Sequence, residues 1–160
     1  MKQYKVVFID WDDTIGDFVG AAKRALQEMY DKYKLSDYFA SHEEFVSLYK
    51  PHNIELWQLY GEDKVTKAFL RVDRFLYPLL HGSKVASQIQ SYTILSALAE
   101  QMSEDFLHLT TKYFSLLPGA EELVRYLAKK YPLTVVTNGF IEVQYEKFDK
   151  SGLRNCFSHI

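Results

Sequence analysis

A chain of 160 residues, 48% hydrophobic and 25% charged, has the size and composition of one ordinary globular domain, or of a core with an insertion. Its 19 lysines and arginines nearly balance 21 acidic residues, so no basic field recommends nucleic acid or a membrane surface as partner. The single cysteine, Cys156, excludes an internal disulfide framework, and no window approaches the roughly 18 apolar residues of a membrane span.

The N-terminal apolar run is too short for a signal peptide and meets aspartates at once, so the expected location is cytoplasmic. Residues 5–10 predict a strand, apolar nearly throughout and therefore central, with both faces covered. From residue 17 to about 115 the pattern is helical only. Phe18, Ala22, Ala25, Leu26, Met29, Tyr30 and Tyr33 fall on one stripe. Ser41-His42-Glu43-Glu44 has capping-box form and predicts a helix that stops at Pro51; a short helix from Asn53 to Tyr60 then ends at Gly61. Thr66 caps another, which carries Ala68, Phe69, Val72, Phe75 and Leu76 inward, and two more are expected near 84–101 and 103–115. The rhythm then turns α/β. A turn at Leu116–Gly119 leads to a helix from about Ala120 to Lys130, and Leu133–Thr137 forms a second buried strand. Asn138-Gly139 is a turn, residues 140–151 are a helix closed by Gly152, and Phe157–Ile160 begins a third strand.

The chemistry gathers where the first strand ends, at Asp10-Trp11-Asp12-Asp13-Thr14. Residues i and i+2 of extended chain project to one side, so Asp10 and Asp12 face a common point at the carboxyl edge where open α/β sheets bind ligands. Two carboxylates held that close need a cation or a reaction to compensate them. A calcium loop is excluded, because its sixth and twelfth positions would be Ile15 and Ala21 instead of Gly and Glu. Asp13 and Asp17 are equally well read as caps of the following helix. Thr137-Asn138-Gly139 ends the second strand before a helix, a place whose free N–H groups suit a phosphate, although Asn-Gly alone is mostly a turn. One acidic strand end beside one anion-binding strand end suggests metal-assisted attack on a phosphoryl group.

These motifs resemble those of the haloacid dehalogenase (HAD) superfamily: Asp10-Trp11-Asp12-Asp13-Thr14 its first, Thr137 its second. The helical stretch between them resembles the inserted C1 cap. Leu117-Pro118-Gly119-Ala120, Thr137-Asn138-Gly139-Phe140 and Ser151–Phe157 resemble the pyrimidine 5′-nucleotidase branch, as do Leu56-Trp57 and Arg74-Phe75 more loosely. The resemblance implies an α/β fold, a Rossmann-like core from 1–16 and 116–160 with an all-helical cap at 17–115. It implies Asp10 as nucleophile forming an aspartyl-phosphate and Asp12 as the acid/base. Mg²⁺ would sit on the Asp10 carboxylate and the Asp12 backbone carbonyl, and Thr137 with the Asn138 backbone would take phosphate oxygens. The cap would close over the site and select a small phosphorylated substrate, a nucleoside 5′-monophosphate being the leading expectation. Dehalogenases of the superfamily typically lack an aspartate at the Asp12 position, so a dehalogenase-type hydrolase is the lesser alternative.

Trp57, Tyr60 and Arg74 are candidates to line a cap pocket, although aromatics at helical spacing are more often core. His42, His52, His81 and His108 lack metal-ligand spacing, and no P-loop or dinucleotide fingerprint is present, which makes a nucleotide a substrate sooner than a cofactor. The family's third-motif lysine and fourth-motif acidic residues have no counterpart before Ile160; neither Lys150 nor His159 stands in the lysine's place. The expectation is therefore the N-terminal portion of a longer enzyme, with a non-catalytic remnant acting by binding as the other reading.

Overall fold

The computed structural model describes residues 4–85 and 91–159. They form two compact units, Met1–Arg24 with His108–Ile160, and Ala25–Leu107. The division falls inside two helices, α1 (Phe18–Lys32) and α4 (Tyr92–Lys112).

The first unit is α/β. Strand β1 (Val7–Asp10) pairs in parallel with β2 (Leu133–Val136), Val7 opposite Leu133 and Asp10 opposite Val136. On the far side of β2 the chain begins a third parallel rung. Ser158 N–H donates to Leu133 O at 2.8 Å and Val135 N–H to His159 O at 3.0 Å. The expected third strand is thus started, while Ile160 lies outside the described residues. Helices α5 (Ala120–Ala128) and α6 (Ile141–Ser151) supply Val124 and Phe148 to a core with Ile9, Trp11, Leu133 and Val135. Gly119 and Gly152, both at positive φ, bound these helices as capping chemistry requires.

Only one face of the sheet is covered. Ile9 is buried, but its neighbour Phe8 is 66% exposed and Val136 is 52% exposed. The expectation of a first strand covered on both faces is corrected for the described residues. Side chains alternate along a strand, and α5 and α6 pack on the Ile9–Val135 side only.

The second unit is helical: the inner parts of α1 and α4, a 3-10 turn at Leu35–Asp37, α2 (His42–Gly61) and α3 (Lys67–His81). Its core is aromatic, with Phe39, Phe45, Phe75 and Phe106 fully or almost fully buried. Tyr49 stacks on Phe75 with ring centroids 5.3 Å apart. Ser41 caps α2 by accepting Glu44 N–H at 3.3 Å, and Thr66 caps α3 by accepting Phe69 N–H at 3.1 Å, as the sequence predicts.

Two expected breaks are absent. Helix α2 runs unbroken through Pro51, and Gly61 belongs to it. The proline ring points to solvent, and Phe45, Tyr49 and Leu56 bury one continuous face on either side of it; that burial outweighs one lost backbone bond. Likewise α4 is one helix where two were expected near 84–101 and 103–115. Met102 and Ser103, at the expected boundary, are both buried, and the helix continues through them. Residues 86–90 of the first expected segment lie outside the described residues.

Candidate active site

At the carboxyl end of β1 the side chains alternate in and out. Ile9 and Trp11 point to the core; Asp10 is exposed and Asp12 half-buried. Trp11 is fully buried, stacked on Phe114 at 5.9 Å and edge-on to Phe148 at 4.2 Å. It anchors the residue between the two carboxylates and so fixes the side to which they project.

The chain then turns tightly. The N–H groups of Ile15 and Gly16 both donate to Trp11 O at 2.9 Å, and Asp13 takes a positive φ of 57°. Asp13 Oδ1 accepts Val19 N–H and Asp17 Oδ1 accepts Gly20 N–H, each at 2.8 Å. Both are therefore helix caps for α1. Asp10 and Asp12 have other partners.

Thr14 Oγ1 donates to Asp10 Oδ2 at 3.1 Å, a neutral donor on an exposed carboxylate. Asp12 is held more firmly. Lys147 Nζ donates to its Oδ1 at 2.8 Å and Gln144 Nε2 to its Oδ2 at 2.7 Å. The same amide nitrogen donates to Thr137 Oγ1 at 2.7 Å, and Gly139 N–H reaches that oxygen at 3.1 Å. One polar chain thus joins the end of β1, the first two turns of α6 and the end of β2. Lys147 is only 4% exposed, and its ammonium lies 4.9 Å from the centre of the Phe18 ring. Asn138, beside Thr137, is exposed.

A concavity of about 350 Å³ opens beside Thr137 and Gly139, lined further by Gln144 and the apolar Val136, Ile141 and Tyr145. The donor set at β1 suits a hard cation, since a carboxylate of Asp10 and the backbone carbonyl of Asp12 are both oxygen ligands. Asp12's own carboxylate is engaged by a lysine, so its backbone is the better ligand. No group of three or more His, Cys, Asp or Glu converges among the described residues.

The other predicted candidates lie in the helical unit. Trp57 and Tyr60, half-buried on α2, meet edge to face at 5.8 Å. Arg74 is 2% exposed, with its guanidinium 4.7 Å from the Phe106 ring centre and 5.2 Å from that of Phe75. It is built into the interior of its unit; burial pushes its pKa below the ordinary arginine value, while Tyr49, hydrogen-bonded to it, draws it back up. Lys150, the lysine considered from sequence, donates to the carbonyls of Thr111 and Lys112 at the end of α4.

Gln144 and Lys147 are not singled out by the sequence motifs. Their signal is nonetheless present: Phe140, Val143, Gln144, Lys147 and Phe148 repeat at the spacing of one helical stripe, and all five are buried. Two polar residues on a core-facing stripe need partners inside.

The chain has known relatives. The haloacid dehalogenase-like hydrolase family, a class of hydrolases, matches residues 4–160, and the chain belongs to it. YfnB of Bacillus subtilis (strain 168), assigned to the HAD hydrolases, is 30% identical over the whole chain and 62% of its own length. Its crystal structure, described as bound to magnesium, superposes with a TM-score of 0.74 at 28% identity, covering 99% of this chain and 65% of that one. The pyrimidine 5′-nucleotidases YjjG of Escherichia coli (strain K12) and PynA of Streptococcus pneumoniae (strain ATCC BAA-255 / R6) are 24% and 28% identical. The matches cover 94% and 98% of this chain, and 59% and 60% of those proteins. The chain spans about three fifths of the length of these relatives. It carries part of the HAD fold, mostly helical with two parallel strands. Among the described residues no helix is long and apolar enough to cross a membrane.

Proposed function

We propose that the protein to which this chain belongs is a Mg²⁺-dependent phosphomonoesterase acting on a small phosphorylated metabolite, with a nucleoside 5′-monophosphate as the leading substrate class. One observation carries the reading: the Asp12 carboxylate, two residues beyond Asp10 at the end of β1, is joined through the Gln144 amide to the Thr137 hydroxyl at the end of β2. The likeness to two pyrimidine 5′-nucleotidases supports the substrate class.

In this reading Asp10, exposed and engaged among the described residues only through Oδ2, attacks phosphorus and becomes an aspartyl-phosphate. Asp12 gives a proton to the departing alkoxide oxygen and then takes one from the water that releases phosphate, returning both carboxyl groups to their starting state. The Thr137 hydroxyl and the Asn138 N–H hold phosphate oxygens. The Asp10 carboxylate and the Asp12 carbonyl would hold Mg²⁺, which supplies positive charge against the dianionic ester. The helical unit Ala25–Leu107 is read as the inserted cap, with Trp57 and Tyr60 as its candidates for a base. Arg74, enclosed in that unit's core, is the weakest of the predicted contacts.

The test uses the full-length gene product. Phosphate release from nucleoside 5′-monophosphates should require Mg²⁺ and vanish with chelator. The Asp12→Asn variant should lose most turnover on nucleoside monophosphates, whose leaving alkoxide needs a proton, and far less on p-nitrophenyl phosphate. A wild-type protein that releases no phosphate from any monoester would leave only a binding role.

A further inference from the structure

The residues that touch the proposed acid/base are on α6, and nothing in the motif pattern assigns them a part. We infer that Gln144 and Lys147 form a clamp that positions Asp12 and sets the direction of the Thr137 hydroxyl; the inference rests on the reading of Asp12 and Thr137 given above.

Hydrogen-bond capacity is decisive here. A carboxylate tethered through one oxygen still swings about its side-chain torsions; tethering both oxygens to different donors removes that freedom. Lys147 holds Oδ1 and Gln144 holds Oδ2. The donors stand on successive turns of one rigid helix, three residues apart, so their separation is fixed by the backbone.

Thr137 is constrained from the same helix. A hydroxyl has two acceptor lone pairs and one proton. Gln144 Nε2 and the Gly139 N–H fill both acceptor sites of Oγ1. The hydroxyl proton is then free only to donate, which is what an anionic phosphate oxygen requires. The amide orientation agrees: both Nε2 hydrogens are used, one on Asp12 and one on Thr137, while Oε1 is buried with no partner among the described residues. Turning the amide over would set its oxygen against the Asp12 carboxylate.

Gly139 shows that the arrangement has been given room. A Cβ at that position would lie 1.9 Å from Gln144 Nε2. The glycine of the Asn138-Gly139 turn has no positive φ to explain it, and its lack of a side chain admits the amide. Lys147 approaches from the other side over Phe18, nearly sealed from solvent, which keeps its bond to Asp12 from being screened.

The test compares Lys147→Met, Lys147→Arg and Gln144→Leu in the full-length protein, with Mg²⁺ at saturation. Lys147→Met should lower kcat for a nucleoside monophosphate about 100-fold and for p-nitrophenyl phosphate less than about tenfold, the mark of a mispositioned proton donor. Lys147→Arg should regain most of the loss. Gln144→Leu should show the same selectivity and also weaken inorganic phosphate binding, read by calorimetry, roughly tenfold. If Lys147→Met does not fold, Gln144→Leu alone decides between the outcomes. Losses equal on both substrates, or below about twofold, would overturn the clamp while leaving the phosphatase reading standing. If the wild type binds phosphate without turnover, the phosphatase reading falls, and the clamp stands or falls on whether Gln144→Leu weakens that binding. A wild type that neither turns over nor binds phosphate overturns both.

Discussion

The two units use their polar groups in different ways. In the helical unit Arg74 and Glu44 are turned inward, to their own unit. Arg74 lies against the rings of Phe75 and Phe106, its Nε donating to Arg71 O at 3.3 Å and its Nη2 buried without a partner among the described residues. The half-buried Glu44 carboxylate accepts from Ala40 N–H at 2.5 Å, Ser83 N–H at 2.8 Å and the Ser83 hydroxyl at 2.9 Å. These two charges face their own unit and not a ligand site. In the α/β unit the polar chain from Lys147 through Asp12 and Gln144 ends on a hydroxyl with an unspent proton, beside an exposed Asp10. A network left open at a single donor beside an exposed carboxylate is ready for a ligand.

Four substitutions press on that contrast. Asp10→Asn in the full-length protein should cut phosphatase turnover about 10⁴-fold or more, since an amide is a poor nucleophile. Stability should move by less than about 0.5 kcal/mol, because the side chain is exposed. A large drop in the melting midpoint would mean Asp10 is structural like Arg74, and the contrast would collapse.

Phe75→Ala belongs to the other side. It removes a fully buried ring that Tyr49 and Phe106 pack against, and should cost about 3–5 kcal/mol in denaturant unfolding. Gly139→Ala lies between them. Its methyl group would displace the Gln144 amide, so turnover should fall roughly tenfold while the unfolding midpoint shifts little.

The smallest effect is one of pH. The Glu44 pKa lies below its ordinary value of 4.5: burial opposes ionisation, but the N–H groups of Ala40 and Ser83 and the Ser83 hydroxyl outweigh it. A carboxyl lowered on folding contributes stability above its unfolded pKa and loses it as pH falls through the folded one. Acid unfolding followed below about pH 4.5 should therefore be shallower for Glu44→Gln than for wild type. Equal slopes would assign the acid limb to other carboxylates.

What the sequence made legible follows from how local each determinant is. Caps at Ser41, Thr66 and Gly152 involve a few neighbouring residues, and each is found where the pattern places it. The apolar runs of both strands, and the carboxylates after the first, are equally local. Pro51 misled because its local meaning, to stop a helix, is overridden by packing from other helices that no short window contains. The Asp12 partners were hidden for the same reason at longer range: Gln144 and Lys147 lie 132 and 135 residues away along the chain. Asp13 and Asp17, adjacent to Asp12 or nearly so, turn out to serve the helix instead.

Trp11, held at zero exposure between the two carboxylates, has an optical consequence. The chain has only two tryptophans, and one falls in each unit: Trp11 in the first, Trp57 in the second. Trp11, in an aromatic nest with its indole N–H unpartnered among the described residues, should emit toward the blue. The half-buried Trp57 should emit further to the red. Replacing Trp57 with Phe would leave one native fluorophore, wedged beneath the carboxylates and edge-on to the Phe148 of α6. Its colour would then report ligand arrival at that strand end with no dye attached.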